Sequence, residues 1–313
     1  MLILWVNSCN TEQPGITNPG STSFTAIPII DMQPGEYYKG EDGGLYGNYE
    51  NEPPEEHLIN GLNEISEITA LDTNGLQDES GKIGFIAIGM SNTSQEFRVF
   101  QELVNQGNEI SSNLVLVDGA QGGITAENWA QEVSPWNVLS ERISKANLVA
   151  KQVQIAWINL TTKEPTQDFW TESNKLKNYL KDVLNNAKGS YPNLKIAFFS
   201  SRIYGGYSKD LISPEPYAYE TGYSVRWLIQ DQINEDSLLN YDSSKGTVYS
   251  PIIFWGPYLW ANGVNPRSDG LSWLISDFES DGRHPSSSGE FKVANLLLTF
   301  FKANELTKVW FLE

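Results

Sequence analysis

Histidine and cysteine are scarce in this 313-residue chain, which has two histidines, His57 and His284, and one cysteine, Cys9. A lone cysteine excludes a disulfide framework within the chain. So few thiols and imidazoles also exclude a tetrahedral zinc site, and no metal or other cofactor is expected. Nucleophile or carboxylate chemistry remains, and a histidine base would have to be one of two residues. Basic residues are few as well, 21 against 39 acidic ones, for a net charge of -18. Nucleic-acid binding needs clustered Lys and Arg to neutralise phosphates, and no such cluster occurs. The same balance disfavours adsorption to anionic membranes and describes a solvated surface. No run approaches the ~20 apolar residues that would cross a bilayer.

Large rings, by contrast, are plentiful, with ten Trp and fourteen Tyr. They fit either a ring-rich core and surface or a cleft that stacks on sugar faces. At the N-terminus, the apolar run Leu2-Ile3-Leu4-Trp5-Val6 leads into Asn7-Ser8-Cys9. This resembles the end of a bacterial lipoprotein signal, where a small residue precedes the acylated cysteine, although the basic n-region is missing and the apolar stretch is short. The alternative is a frayed apolar end with no export role. The expectation is an exported protein, either a bacterial lipoprotein tethered to a membrane through lipidated Cys9 or a periplasmic or extracellular protein.

Residues 1–9 thus form a truncated signal or lipoprotein-like segment, and residues 10–80 a linker and N-terminal arm. Within the arm, Leu58, Ile59, Leu62, Ile65 and Ile68 mark one helical face. From residue 81 to 313 the pattern is that of one domain. Short apolar runs at Ile83–Ile88, Leu114–Val117, Val153–Ile158, Leu194–Phe199 and Ile252–Trp255 alternate with amphipathic stretches near 94–106, 137–150, 170–187, 220–234 and 287–302. Continuous apolar strands separated by helices predict a parallel sheet buried on both faces. The fold class is therefore α/β, a three-layer α/β/α sandwich on a five-stranded parallel sheet of flavodoxin-like type. Ligands of such sheets sit outside the carboxyl ends of the strands.

At those ends lie the residues able to carry chemistry. Gly89-Met90-Ser91-Asn92 follows the first strand; Ser91 could cap the next helix or present a hydroxyl at its positive end. Asp118-Gly119-Ala120-Gln121-Gly122-Gly123-Ile124-Thr125 follows the second strand, with glycine spacing wrong for a dinucleotide fingerprint. Those glycines could serve turn geometry, or let an N–H approach a substrate oxygen. Asn159 ends the third strand. In Asp281-Gly282-Arg283-His284-Pro285-Ser286, the carboxylate and imidazole can stand side by side, one orienting the other. His57, in a Glu-rich helix start, reads as a surface or packing residue.

Together these four blocks resemble the SGNH hydrolases, also called the GDSL family, over residues 82 to 302. The resemblance implies Ser91 as nucleophile, His284 as general base and then acid, and Asp281 as its orienting partner. It also implies an oxyanion hole from the Ser91 and Gly123 amides and the Asn159 side chain, since Gly123-Ile124-Thr125 matches the family's Gly-x-Thr. Two departures stand out. Met90 replaces the Asp of Gly-Asp-Ser, and Trp157-Ile158-Asn159-Leu160 stands where the family has Gly-x-Asn-Asp. Asn92, Gly122, Arg202 and Trp255 are candidate substrate contacts, with Phe254 to Trp260 as aromatic walls. Asn92 and Asn159 also head Asn-x-Ser/Thr sequons, read as coincidental. The implied function is hydrolysis of carboxylic esters, with small-molecule or polysaccharide esters as substrates and acetyl groups on carbohydrates as the expected target. The alternative is a non-catalytic glycan-binding lipoprotein on the same scaffold.

Overall fold

The computed structural model describes residues 24–165, 168–209 and 212–313; Cys9 and its apolar run lie outside them. Five strands, β1 (Ile83–Gly89), β2 (Leu114–Asp118), β3 (Val153–Asn159), β4 (Ile196–Phe199) and β5 (Ile252–Trp255), form one parallel sheet in the order β2-β1-β3-β4-β5. Alternate residues of each strand feed two cores. On one face Phe85, Ala87 and Trp157 meet α1 (Glu55–Ser66), α2 (Ser91–Gln106), α7 (Ser287–Ala303) and α8 (Lys308–Phe311). On the other, Ile86, Ile88 and Ile158 meet α3 (Ala126–Gln131), α4 (Ser134–Lys145), α5 (Phe169–Ser190) and α6 (Tyr217–Ile233). With both faces covered, an apolar residue is needed at nearly every strand position. The three-layer α/β/α sandwich follows from that pattern.

Chain order turns back at β1, which has β2 on one side and β3 on the other. The carboxyl ends of β1 and β3 are in register, Gly89 opposite Asn159. A sheet of this kind opens its crevice at such a reversal. On the first face α2, which starts at Ser91, packs directly against α7.

Element boundaries differ from the sequence expectation where local backbone decides. The helix expected to reach 150 ends at Lys145, because Asn147 takes a φ of 54° that an α-helix cannot continue. The short α3 has too few residues for a periodic signal. Residues 24–54 are irregular yet contribute Ile29, Met32 and Tyr46 to the interior. They are fastened to α6 by the buried Arg226, whose guanidinium donates to Glu41 and, at 3.0 Å, to Asp42 Oδ1.

Candidate active site

Ser91 is the first residue of α2, directly after β1, and the residue at the capping position is Met90. A methionine cannot cap, and no side chain does, so the amides of the first turn remain for another acceptor. The Met90 side chain is buried in the core instead. Ser91 Oγ lies 2.8 Å from His284 Nε2. The capping role considered for Ser91 is therefore not the one this helix uses.

His284 is held from its other side. Its Nδ1 lies 2.5 Å from Asp281 Oδ2, while Asp281 Oδ1 accepts the backbone N–H of Arg283 at 2.9 Å and of His284 at 3.0 Å. Burial alone would raise the Asp281 pKa, but these hydrogen bonds and the adjacent imidazole outweigh it and hold the carboxyl at about 2. An ionised carboxylate only accepts, so Nδ1 carries the proton and Nε2 is left to accept from the Ser91 hydroxyl. The turn that brings Asp281 and His284 together depends on Gly282. Its φ is 70°, and a Cβ there would sit 1.8 Å from Tyr207 O. The loop is closed by Glu279 N donating to His284 O and Ser286 N donating to Asp277 O, at 2.8 and 2.9 Å.

The glycine block forms a tight turn in which Ile124 N donates to Gln121 O, with Gly123 at φ 76°. Gln121 N donates to Gly89 O at 3.0 Å, so the turn is tied to the end of β1. A Cβ on Gly122 would come within 3.9 Å of Ser91 Cβ, which places this turn beside the serine. Asn159 is buried opposite Gly89. Its Oδ1 accepts from Arg202 Nη1 at 3.1 Å, its backbone oxygen accepts from Thr93 Oγ1 at 2.8 Å, and its Nδ2 has no hydrogen-bond partner among the described residues. Serine, imidazole, carboxylate, glycine turn and amide thus meet at one sheet edge. The set has the donors and the base that acyl transfer requires.

The chain is similar to several solved structures. A carbohydrate esterase of family 3 from Talaromyces cellulolyticus aligns with a TM-score of 0.40 and 13% identity, over 68% of this chain and 93% of that one. A GDSL-like lipase from Bacteroides thetaiotaomicron aligns with a TM-score of 0.32 and 11% identity, over 76% and 92%. A Bacillus subtilis protein aligns with a TM-score of 0.41 and 12% identity over 72% of this chain, which spans 58% of that protein's length. No protein-family model and no curated protein sequence matches the chain.

The four residues named as substrate contacts fall in different places. Gly122 is beside Ser91. Asn92 is buried and its Nδ2 donates to Arg283 O at 3.0 Å, fastening the histidine loop to α2. Arg202 is 3% exposed and reaches the site only through Asn159. Trp255 is buried under the N-terminal arm, its Nε1 donating to Leu45 O at 2.7 Å. The aromatic stretch around it is likewise interior: Phe254, Tyr258 and Trp260 are buried, so it walls no cleft. His57 is a packing residue, its Nε2 2.8 Å from Ile253 O and its ring against Phe254. A cavity of about 680 Å³ lies beside it, lined by Asn60, Gln232, Tyr241 and Tyr249 among others, and includes none of Ser91, His284 and Asp281.

Three residues near the site carried no sequence signal. Thr93 ties α2 to the end of β3 through Asn159. Trp129 Nε1 donates to Gly89 O at 3.2 Å behind the serine. Glu96, one turn along α2, is fully buried, and neither of its carboxyl oxygens has a hydrogen-bond partner among the described residues. Burial raises its pKa to about 8, with Arg202 opposing and Glu290 adding to the shift.

Proposed function

We propose that this chain is a serine esterase that removes short acyl groups, acetyl above all, from carbohydrates. The alignment of Ser91 Oγ, His284 Nε2 and Nδ1, and Asp281 Oδ2 at 2.8 and 2.5 Å carries the reading. Ser91 Oγ attacks the ester carbonyl carbon while His284 Nε2 takes its proton. The carbonyl oxygen becomes an oxyanion facing the Ser91 and Gly123 amides and the Asn159 Nδ2. Collapse breaks the bond to the alcohol, which leaves with the proton from His284. Water, deprotonated by the same imidazole, then attacks the acyl-serine and releases the acid.

The surroundings favour a small acyl group on a large alcohol. The His284 and Asp281 side chains are 22% and 37% exposed, so the edge is open to solvent. The residues around Ser91, Gly122, Asn92, Asn159 and Arg283, are small or polar, and a long hydrocarbon chain would find little apolar surface beside them. Export and a tether through Cys9 belong to the same proposal; a lipid-sized mass increment on the N-terminal peptide from the membrane fraction would support them.

A fluorophosphonate probe followed by peptide mapping tests the mechanism. Label on Ser91, lost in Ser91→Ala, is the expected result. Hydrolysis of p-nitrophenyl acetate that survives Ser91→Ala would end the triad assignment. Polysaccharide binding with no turnover of any acetyl ester would replace it with a glycan-binding role.

A further inference from the structure

The Asn159 side chain carries an acceptor and a donor of nearly identical shape, and only its NH2 end can serve an oxyanion. A half-turn of the amide would present the oxygen instead and repel the developing negative charge. Leu160, the next residue, offers nothing to prevent this. Among the described residues, the contact made by that amide is the one from Arg202 Nη1 to Oδ1, at 3.1 Å.

A guanidinium has five donors and no acceptor, so the group facing it must be the oxygen. Arg202 is itself fixed: it is 3% exposed, and its backbone N–H donates to Thr221 Oγ1 of α6 at 3.1 Å. Thr221 Oγ1 in turn donates to Ala218 O at 2.7 Å. The Glu96 carboxyl lies near enough to feel the Arg202 charge, yet no hydrogen bond ties its oxygens to the guanidinium. The Nη1 hydrogen bond to Oδ1 polarises the amide of Asn159 and strengthens its N–H as a donor.

We infer that Arg202 is a positioning residue, holding Asn159 with Oδ1 turned inward and Nδ2 presented to the reacting carbonyl. The inference rests on the esterase reading above and assigns Arg202 a role other than touching substrate. It makes Arg202 act only through Asn159, which a double-mutant cycle can measure. With p-nitrophenyl acetate, Arg202→Met should lower kcat by about ten- to a hundredfold and leave KM within about twofold, somewhat less than loss of the oxyanion donor itself. In an Asn159→Ala background the same substitution should change kcat by less than about twofold. If Arg202→Met does not fold, Arg202→Lys takes its place under the same criterion, since it keeps a cation but loses the planar fork. Full activity in the single variant, or an undiminished loss in the Asn159→Ala background, overturns the inference while leaving the esterase reading intact. Absence of Ser91-dependent turnover in the unaltered protein would sink both.

Discussion

Ser91 and His284 are separated by 193 residues along the chain and by 2.8 Å between Oγ and Nε2. One stands at the start of α2, the other in the loop before α7, and the packing of these two helices keeps them in register. Removing either atom should therefore be equivalent. Ser91→Ala and His284→Ala are each expected to lower kcat by roughly five to six orders of magnitude, and the double variant to lose little more. Steady-state kinetics on a short-chain p-nitrophenyl ester would decide it, and clearly additive losses would count against a shared step.

Asp281 is expected to act through orientation. Asp281→Asn should leave the fold intact and reduce kcat by roughly 10⁴-fold, because the amide no longer selects the Nδ1–H tautomer. The stability effect has a definite sign. The folded carboxyl is depressed from 3.8 to about 2, so its contribution is complete above the higher value and is lost as pH falls through the lower. The carboxylate's share of the difference in unfolding free energy between wild type and Asp281→Asn should be constant at neutral pH, shrink as pH falls through 3.8, and vanish only below the folded value of about 2. Urea titrations at several pH values would read it.

Glu96 should behave in the opposite sense. Its folded pKa is raised from 4.5 to about 8, chiefly by burial, with Glu290 adding and Arg202 opposing. The stability it contributes is whole below the lower value and is lost progressively as pH rises to the upper one. The melting temperature of Glu96→Gln minus that of wild type should therefore climb from pH 5 to pH 8 and then level off. Scanning calorimetry across that range would check this, and a flat difference would mean that Glu96 is ionised throughout.

Gly282 is expected to tolerate no side chain. Gly282→Ala places a Cβ against Tyr207 O and forces a φ of 70° on alanine. The backbone strain alone costs about 1–3 kcal/mol. Because the same residue shapes the Asp281–His284 turn, kcat should fall together with the melting temperature. A variant that melts lower with unchanged kcat would show that the turn recovers its geometry without glycine.

The strands and the meeting of Ser91, His284 and Asp281 were legible in the sequence for the same reason: each is tightly constrained. A strand buried on both faces must be apolar throughout, and with His57 packed against Phe254, His284 is the imidazole at the sheet edge. Arg202 was harder to place, since an arginine after a strand reads as a surface or ligand residue, and only the fold reveals Asn159 in front of it. Glu96 looks like any polar position on α2 until α7 covers it. The stretch from Phe254 to Trp260 suggested a cleft because nothing in residues 24–54, irregular and rich in glycine, announces that Ile29 and Tyr46 will join Trp255, Tyr258 and Trp260 in one core. Burial by a segment without periodicity leaves no pattern to read.

Because Ser91 and His284 stand 193 residues apart in the chain, the hydroxyl is synthesised well before the imidazole. A nascent chain, or one clipped anywhere before residue 281, carries a hydroxyl with no imidazole beside it. The Ser91–His284 hydrogen bond thus forms only once α7 packs on α2. Loss of residues 281–313 would remove both Asp281 and His284 while leaving all five strands in place.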